Sequence, residues 1–182
     1  MSDVDPYLGI MIEARRPALE EMPPFYHGYV TRMEGTDLFD ALDQNTKQTL
    51  RTLDTVRADR SLHRYAAGTW SLREVVQHLT DCERIMAYRA LCFARGEQAS
   101  LPGFDEDAYV ANADTDRRPW AELTTEWRTV RAGTMDLFQS FTDGMLVRWG
   151  TANGGRVTVR ALGWIIAGHT SHHLTVINER YL

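Results

Sequence analysis

Apolar residues recur every three or four positions along four long segments of this chain, a spacing typical of amphipathic α-helices. The first segment follows Thr36, whose hydroxyl can act as the N-cap of a helix. Its apolar stripe consists of Leu38, Phe39, Leu42, Thr46, Leu50, Leu53 and Val56. The pattern therefore predicts a first long helix that begins just after Thr36.

The second segment has the clearest helix start in the sequence. Ser71 and Glu74 have the spacing of a capping box, in which each side chain accepts a hydrogen bond from the other residue's backbone N–H. Gly96 is suited to end the helix. The apolar positions between them are Val75, Leu79, Cys82, Ile85, Met86 and Phe93. A second long helix is predicted here.

A polar connection over residues 101–116 separates the second helix from the third, with a short helical turn expected near 105–111. Pro119 suits the first turn of the third helix. The apolar positions of that helix are Trp120, Leu123, Trp127, Val130, Met135, Leu137, Phe138 and Phe141. The length of the connection predicts a crossover rather than a tight turn.

The apolar period then changes to two over residues 146–149 and 156–159, on either side of Asn153-Gly154-Gly155. This predicts a small hairpin or extended loop, after which Thr158 can cap a last helix that runs to the C-terminus. Four long helices predict an all-α fold: a four-helix bundle with a long crossover between the second and third helices. We expect the bundle to span residues 36–182. Residues 1–35, rich in proline and aromatic residues, would form an arm that packs on it within a single domain.

Composition narrows the functional class. The chain has 182 residues, 43% of them apolar, and a net charge of −5, values that are ordinary for one globular domain. Its slight acidic excess and scattered arginines argue against nucleic-acid binding. No apolar run reaches the roughly 20 residues needed to span a bilayer, and the first residues do not resemble a signal peptide. Cys82 and Cys92, roughly 15 Å apart along one predicted helix, are too far apart for a disulfide. We therefore expect a reduced, cytoplasmic protein.

Two of the six histidines lie on the core-facing stripe of the last helix. His169 and His173 are one turn apart there, among Leu162, Ile165, Ile166 and Val176. Two neutral imidazoles at this spacing can bind one divalent metal. The same spacing is compatible with two partly buried histidines that hydrogen-bond to backbone or water. Their position on an apolar stripe favours the metal, because adjacent buried imidazoles need partners.

A third ligand should come from another helix, and His78 lies two turns into the second, within about 60° of the centre of its apolar face. Three histidines would leave one coordination position open, as in catalytic rather than structural zinc sites. Four further side chains could orient a ligand or line a substrate pocket: His172, Asp81, Glu83 and Cys82. Cys82, one turn after His78, could instead be a fourth ligand. The alternatives are solvated charges for the carboxylates and a small buried residue for the cysteine.

Five other polar residues are expected to have ordinary roles. His27 and His63 fall in arm or loop segments and are interpreted as surface residues. Arg84, Arg89 and Arg95 follow His78 along the second helix and could hold an anionic substrate or cofactor. A solvated helix face is the preferred interpretation for these arginines.

Two sequence motifs resemble those of a known family. Residues 65–71 (Tyr-Ala-Ala-Gly-Thr-Trp-Ser) and 74–84 (Glu-Val-Val-Gln-His-Leu-Thr-Asp-Cys-Glu-Arg) are similar to its Gly-x-Trp-Ser-x-x-Glu…His-Leu-x-Asp-x-Glu signature. Residues 88–91 and 101–106 resemble the segment that follows, and residues 168–173 (Gly-His-Thr-Ser-His-His) resemble its C-terminal histidine motif. From about Leu38 to Leu182 the chain thus resembles the DinB-like superfamily of small bacterial metal-binding four-helix bundles.

The resemblance implies a divalent metal held by His78, His169 and His173. Zinc is expected as the commonest occupant, with Ni²⁺ or Fe²⁺ as alternatives. Some members have Arg-Gly-Gln after the histidine pair, whereas this chain has Leu174-Thr175-Val176, so no role of that tripeptide carries over.

The resemblance also implies a metal-dependent enzyme that acts on a small molecule. Relatives include S-transferases and isomerases that use a low-molecular-weight thiol, and proteins named as hydrolases. The alternatives are a non-catalytic metal- or ligand-binding bundle and a stress-related interaction protein in which the metal stabilises the fold. A homodimer is expected as well.

Overall fold

The computed structural model describes residues 14–182, in which four long helices form a bundle. The α-helices in this range are α1 (His27–Thr31), α2 (Leu38–Thr55), α3 (Leu72–Ala94), α4 (Glu106–Asn112), α5 (Trp120–Gln139), α6 (Asp143–Leu146) and α7 (Val159–Arg180). Two short strands, β1 (Trp149–Ala152) and β2 (Gly155–Thr158), precede α7. The predicted all-α bundle with a long crossover between its second and third long helices is confirmed. None of the described helices is both long enough and apolar enough to cross a membrane.

Helix α3 packs against both α5 and α7. Helix α2 also packs on α5 and α7 and completes the four-helix arrangement. Trp127 of α5 and Trp164 of α7 are fully buried. The α3–α7 contact is the one that matters for the site, because it sets the histidine of α3 against those of α7.

The starts of the helices follow the predicted capping chemistry with one correction. Ser71 and Glu74 form the expected capping box, and Thr158 accepts a hydrogen bond from the N–H of Ala161. Thr36, however, is not the N-cap of α2. Asp37 is the N-cap, and its Oδ1 accepts hydrogen bonds from the N–H groups of Phe39 and Asp40 at 2.9 and 3.1 Å. A carboxylate is the stronger acceptor at the positive end of a helix.

The hairpin is present, with both four-residue strands closer to the turn than predicted. Strands β1 and β2 are antiparallel, with Trp149 opposite Thr158 and Ala152 opposite Gly155. Asn153 and Gly154 have φ of 51° and 73° and form the two-residue turn that sets this register. The first strand was expected over residues 146–149, but Leu146 ends helix α6, so that expectation is wrong for residues 146–148.

The described part of the N-terminal segment, residues 14–35, lies against the bundle. The Glu21 carboxylate accepts hydrogen bonds from Thr158 Oγ1 at 2.8 Å and from Arg160 Nε at 2.7 Å. Helix α1 packs on α7. The remainder of the expected arm, residues 1–13, lies outside the described residues, and the boundary at residue 36 stays a prediction.

Helices α1 and α7 approach closely at Gly168. A Cβ atom at this position would overlap the backbone carbonyl of Tyr29, whose ring packs on His169. We expect Gly168→Ala to lower the free energy of unfolding by about 1–3 kcal/mol, because α1 must move to admit the methyl group. Urea denaturation measures the change.

Gly133 of α5 is the matched control, since nothing lies within 4 Å of a Cβ built there. Gly133→Ala should raise the free energy of unfolding by about 0.5–1 kcal/mol through helix propensity alone. If both substitutions stabilised the protein equally, the close approach of α1 and α7 would be disproved.

Candidate metal centre

Three histidines meet where α3 packs on α7. His78 comes from α3, and His169 and His173 come from successive turns of α7. One ring nitrogen from each residue lies within 4.8 Å of the others, and the Nε2 atoms of His78 and His169 are 3.1 Å apart. The structure thus brings together the three side chains that the sequence singled out. Metal binding by them remains a prediction.

Aromatic residues hold the imidazoles in place. The Trp70 ring, just before α3, lies 4.7 Å from the ring of His78. The Tyr29 ring, from α1, packs edge-on against His169 at 5.5 Å. These contacts restrict rotation of both imidazoles, so the cluster is organised in advance by its surroundings.

Burial keeps the three histidines neutral. It lowers the pKa of His78 to about 4 and that of His173 to about 3. The pKa of His169 is also held well below its usual range, first by burial and then by repulsion from His173 and His78. Neutral imidazoles are the form that binds metals, so at pH 7 protons do not compete for this cluster.

The spacing of the nitrogens fits a divalent cation. Zinc–imidazole bonds of about 2.0–2.1 Å in a tetrahedral site place two ligand nitrogens about 3.3 Å apart. The 3.1 Å between the Nε2 atoms of His78 and His169 is close to that value. Three imidazoles, of which this pair has the separation of two ligands on one ion, are a donor set suited to zinc or a similar metal.

The cluster opens on a cavity of about 340 Å³. No fourth His, Cys, Asp or Glu within residues 14–182 joins the three histidines. Apolar and aromatic side chains form much of the wall: Phe25, Tyr26, Tyr29, Trp70, Leu79, Met86, Phe104, Ile165 and Ile166. An incomplete ligand set beside a cavity is the arrangement of catalytic rather than structural zinc sites.

Cys82 and His172 also line the cavity but lie outside the group of three. The Cys82 sulfur is 3.6 Å from both ring nitrogens of His78. Burial, with smaller contributions from nearby acidic groups, raises the pKa of Cys82 to about 12, so its thiol is neutral. The His172 ring packs on Tyr29 at 5.6 Å and on His173 at 5.1 Å. Both residues therefore contact the cluster without joining it.

The two predicted carboxylates bind other residues. Asp81 accepts a hydrogen bond from Gln77 Nε2 at 2.9 Å and lies 3.7 Å from Arg84. Glu83 lines the cavity, but both of its oxygens bind Arg131, at 2.7 and 2.9 Å. Neither carboxylate has a hydrogen bond to an imidazole among the described residues.

The remaining histidines lie away from the cluster. His63 is exposed, and its ring packs edge-on against Tyr181 at 6.3 Å. His27 is partly buried, and its Nε2 lies 3.0 Å from the carbonyl oxygen of Leu19.

The expected solvated arginine face is correct for two residues and wrong for the third. Arg84 and Arg95 are exposed, whereas Arg89 is buried and lines the cavity. The reason is the crossover, which folds over this part of α3 and places the carbonyl of Pro102 2.8 Å from Arg89 Nη2. Helical periodicity places Arg89 near the face of α3 that holds His78, but it carries no information on the contact with the crossover.

The sequence also missed the distant walls of the cavity. Tyr29 comes from the N-terminal segment, Phe104 from the crossover and Asn153 from the hairpin turn. These segments are irregular in sequence, and no spacing rule links them to α3. The one available signal was the concentration of aromatic residues over 25–29.

The sequence model of the DinB superfamily matches residues 41–177 of this chain. A protein of Oceanobacillus iheyensis, named as a candidate metal-dependent hydrolase, is 29% identical over 82 residues. That match covers 43% of this chain and 47% of the relative, so the chain spans about half the length of the curated relative it matches.

Two solved structures share the fold. YfiT from Bacillus subtilis, described as a probable metal-dependent hydrolase with an unusual four-helix bundle topology, has a TM-score of 0.69 and 18% identity. The similarity covers 78% of this chain and 82% of YfiT. A mycothiol-dependent maleylpyruvate isomerase has a TM-score of 0.65 and 13% identity, over 76% of this chain and 58% of the isomerase.

Proposed function

This chain belongs to the DinB superfamily, and from that premise we propose that it is a metal-dependent enzyme acting on a small molecule. His78, His169 and His173 would hold the divalent metal. The observation that carries the proposal is the cluster itself: three neutral imidazoles, with nitrogens within 4.8 Å of one another, at the wall of a cavity of about 340 Å³. A purely structural site would be closed by a fourth protein ligand.

The chemistry follows from the charge of the site. A divalent cation held by neutral ligands keeps its full positive charge and lowers the pKa of a water or thiol bound to it, which supplies a nucleophile at neutral pH. The protein's own contribution is to keep the imidazoles unprotonated by burial. Trp70 and Tyr29 hold two of the rings in position, and the apolar cavity walls limit access of bulk water to the reacting atoms.

The finer proposal is a transferase that uses a low-molecular-weight thiol, or a hydrolase, with zinc as the metal and Ni²⁺ or Fe²⁺ as alternatives. The hydrolase is supported by the names of the Oceanobacillus relative and YfiT. The thiol is supported by the mycothiol dependence stated for the structurally similar isomerase. The homodimer and the cytoplasmic location stay predictions.

A turnover panel tests the proposal. The zinc-, nickel- or iron-loaded protein would be incubated with bacillithiol, mycothiol, glutathione or cysteine and 1-chloro-2,4-dinitrobenzene, and separately with 4-nitrophenyl acetate. We expect metal-dependent turnover in one of these assays and its loss in His173→Ala. Absence of metal-dependent turnover in every assay would contradict the enzyme and favour a non-catalytic metal- or ligand-binding bundle.

A further inference from the structure

We propose that Arg89 anchors a carboxylate of the molecule that occupies the cavity, so that the substrate is a small organic anion with an apolar body. The cavity is the one beside His78, and the identification of its ligand as a substrate rests on the proposed function. The binding preference itself does not depend on catalysis. Arg89 is therefore a specificity residue at the far end of the cavity from the metal centre.

The first observation is a buried cation without an anionic partner. Arg89 is 3% exposed, and its Nη2 donates to the Pro102 carbonyl at 2.8 Å. Its Nη1 lies 3.6 Å from the Met86 sulfur, a weak acceptor. The guanidinium also interacts with the Tyr26 hydroxyl, a neutral group whose pKa is raised by burial. No carboxylate within residues 14–182 lies within 4 Å of the guanidinium. A guanidinium has five N–H donors, and a buried charge is costly unless it is paired.

Arg131, another buried arginine of the bundle, differs from Arg89 in having a carboxylate partner. Arg131 is 1% exposed, and two of its nitrogens bind the Glu83 carboxylate. Asn45 and Thr170 accept further hydrogen bonds from it, at 2.9 and 3.1 Å. Arg131 is thus satisfied by the fold, whereas Arg89 retains donors beside a cavity.

The second observation is the position of Arg89 relative to the metal centre. Arg89 follows His78 by 11 residues, about three turns, so both side chains leave α3 in nearly the same direction. Cys82 and Met86 lie between them, and all four residues line the cavity. The guanidinium folds back to Met86, which lies about 12 Å along the axis from His78. One elongated molecule can therefore reach both ends.

The cavity walls indicate the rest of the ligand. Phe25, Tyr26, Tyr29 and Phe104 line the cavity, with Ile165 and Ile166 of α7. Tyr29 packs on His169 at the metal end. The Phe104 ring centre is 6.0 Å from the Arg89 guanidinium carbon. A volume of about 340 Å³ is at the small end of the usual range for ligand sites. These features fit an arylalkyl or alkyl carboxylate whose reacting group lies at the histidines.

The acidic residues that line the cavity do not satisfy Arg89. Glu83 is bound by Arg131, and Glu106 is an exposed residue of α4. Glu106 lies more than 4 Å from the guanidinium. A carboxylate that enters the cavity therefore finds one buried cation without a competing internal anion.

Calorimetric titration with two nearly isosteric probes tests the inference. The full-length protein would be titrated with 4-phenylbutyrate and with the neutral 4-phenylbutyramide, which differ in charge and little in shape. We expect the acid to bind wild-type protein about ten- to a hundredfold more tightly than the amide, the usual effect of a hydrogen-bonded charge. The preference should disappear in Arg89→Met and persist in Arg95→Met, an exposed arginine of the same chain region.

Two further variants distinguish loss of the Arg89 contact from a folding defect and from binding of the carboxylate at the metal. Arg89→Lys retains the charge and should keep part of the preference, which guards against a folding defect in Arg89→Met. His169→Ala removes a proposed metal ligand and should keep the preference. Equal binding of acid and amide to wild type would overturn the inference. So would a preference that survives in Arg89→Met and is lost in His169→Ala, because the carboxylate would then bind at the metal. Failure of the turnover panel leaves these binding results unaffected.

Discussion

His169→Ala is expected to lower the affinity for Zn²⁺ by more than about a hundredfold. Residues that merely support metal ligands already change affinity by about 10–100-fold when they are mutated, so loss of a ligand should exceed that range. The variant keeps His78 and His173, but two imidazoles supply only two bonds to a metal that requires three protein ligands in an open site. Competition titration with a chromophoric chelator measures the affinity directly.

Two matched variants serve as controls for this prediction. His63→Ala removes an exposed histidine that contacts Tyr181, and it should leave the zinc affinity unchanged. His172→Ala removes a histidine that contacts His173 but lies outside the group of three, and its effect should be far smaller than that of His169→Ala. Zinc affinity in His169→Ala within about threefold of wild type would contradict the three-histidine site.

Glu83→Ala is expected to lower the free energy of unfolding by about 3–5 kcal/mol. The carboxylate forms two hydrogen bonds with Arg131, and both side chains are almost completely buried, at 2% and 1% exposed. Removing the carboxylate leaves an uncompensated cation packed against Trp127, with its guanidinium carbon 5.0 Å from that ring's centre. Most of the expected loss of stability comes from leaving the buried guanidinium unpaired, and less comes from the lost attraction between the two charges.

Urea or guanidinium denaturation of the metal-free protein measures this loss. Asp43→Ala breaks the exposed pair of Asp43 with Lys47 and should cost less than about 0.5 kcal/mol. Glu83→Leu combined with Arg131→Met removes both charges and should recover much of the stability. A change below about 1 kcal/mol in Glu83→Ala would show that the buried pair is not a structural element of the bundle.

The long helices and the histidine cluster could be predicted because both depend on local geometry. The 3.6-residue period places His169 and His173 on one face of α7, and it places His78 on the buried face of α3. The buried faces of neighbouring helices meet in a bundle, so these three histidines are expected to lie close together. The capping box at Ser71 marked the start of α3 for the same local reason.

The errors fall where local rules leave several choices open. Thr36 and Asp37 are adjacent and both are good capping residues, so the sequence could not decide between them. The two-residue turn at Asn153 and Gly154 fixes which residues pair, and it leaves residues 143–146 free to form α6. The two-residue apolar period alone had indicated a first strand over residues 146–149.

Long-range packing explains what the sequence left out of the cavity. Arg89 is charged, which favoured a solvated position, although its 11-residue spacing from His78 places it on nearly the same face of α3. It is buried because the crossover covers that part of the helix. Tyr29 contributes to the site because Gly168 lets α1 approach α7 closely. In each contact a periodic helix meets a segment without a periodic signal, the crossover in the first case and residues 27–31 in the second.

X-ray absorption spectroscopy at the zinc K-edge of the zinc-loaded protein tests the central claim most directly. We expect three imidazole nitrogens at about 2.0–2.1 Å, one further light-atom ligand from solvent, and no sulfur. In His169→Ala the signal of the bound site should be lost. A sulfur scatterer at about 2.3 Å would assign Cys82 as a ligand, and fewer than three imidazoles would contradict the site formed by His78, His169 and His173.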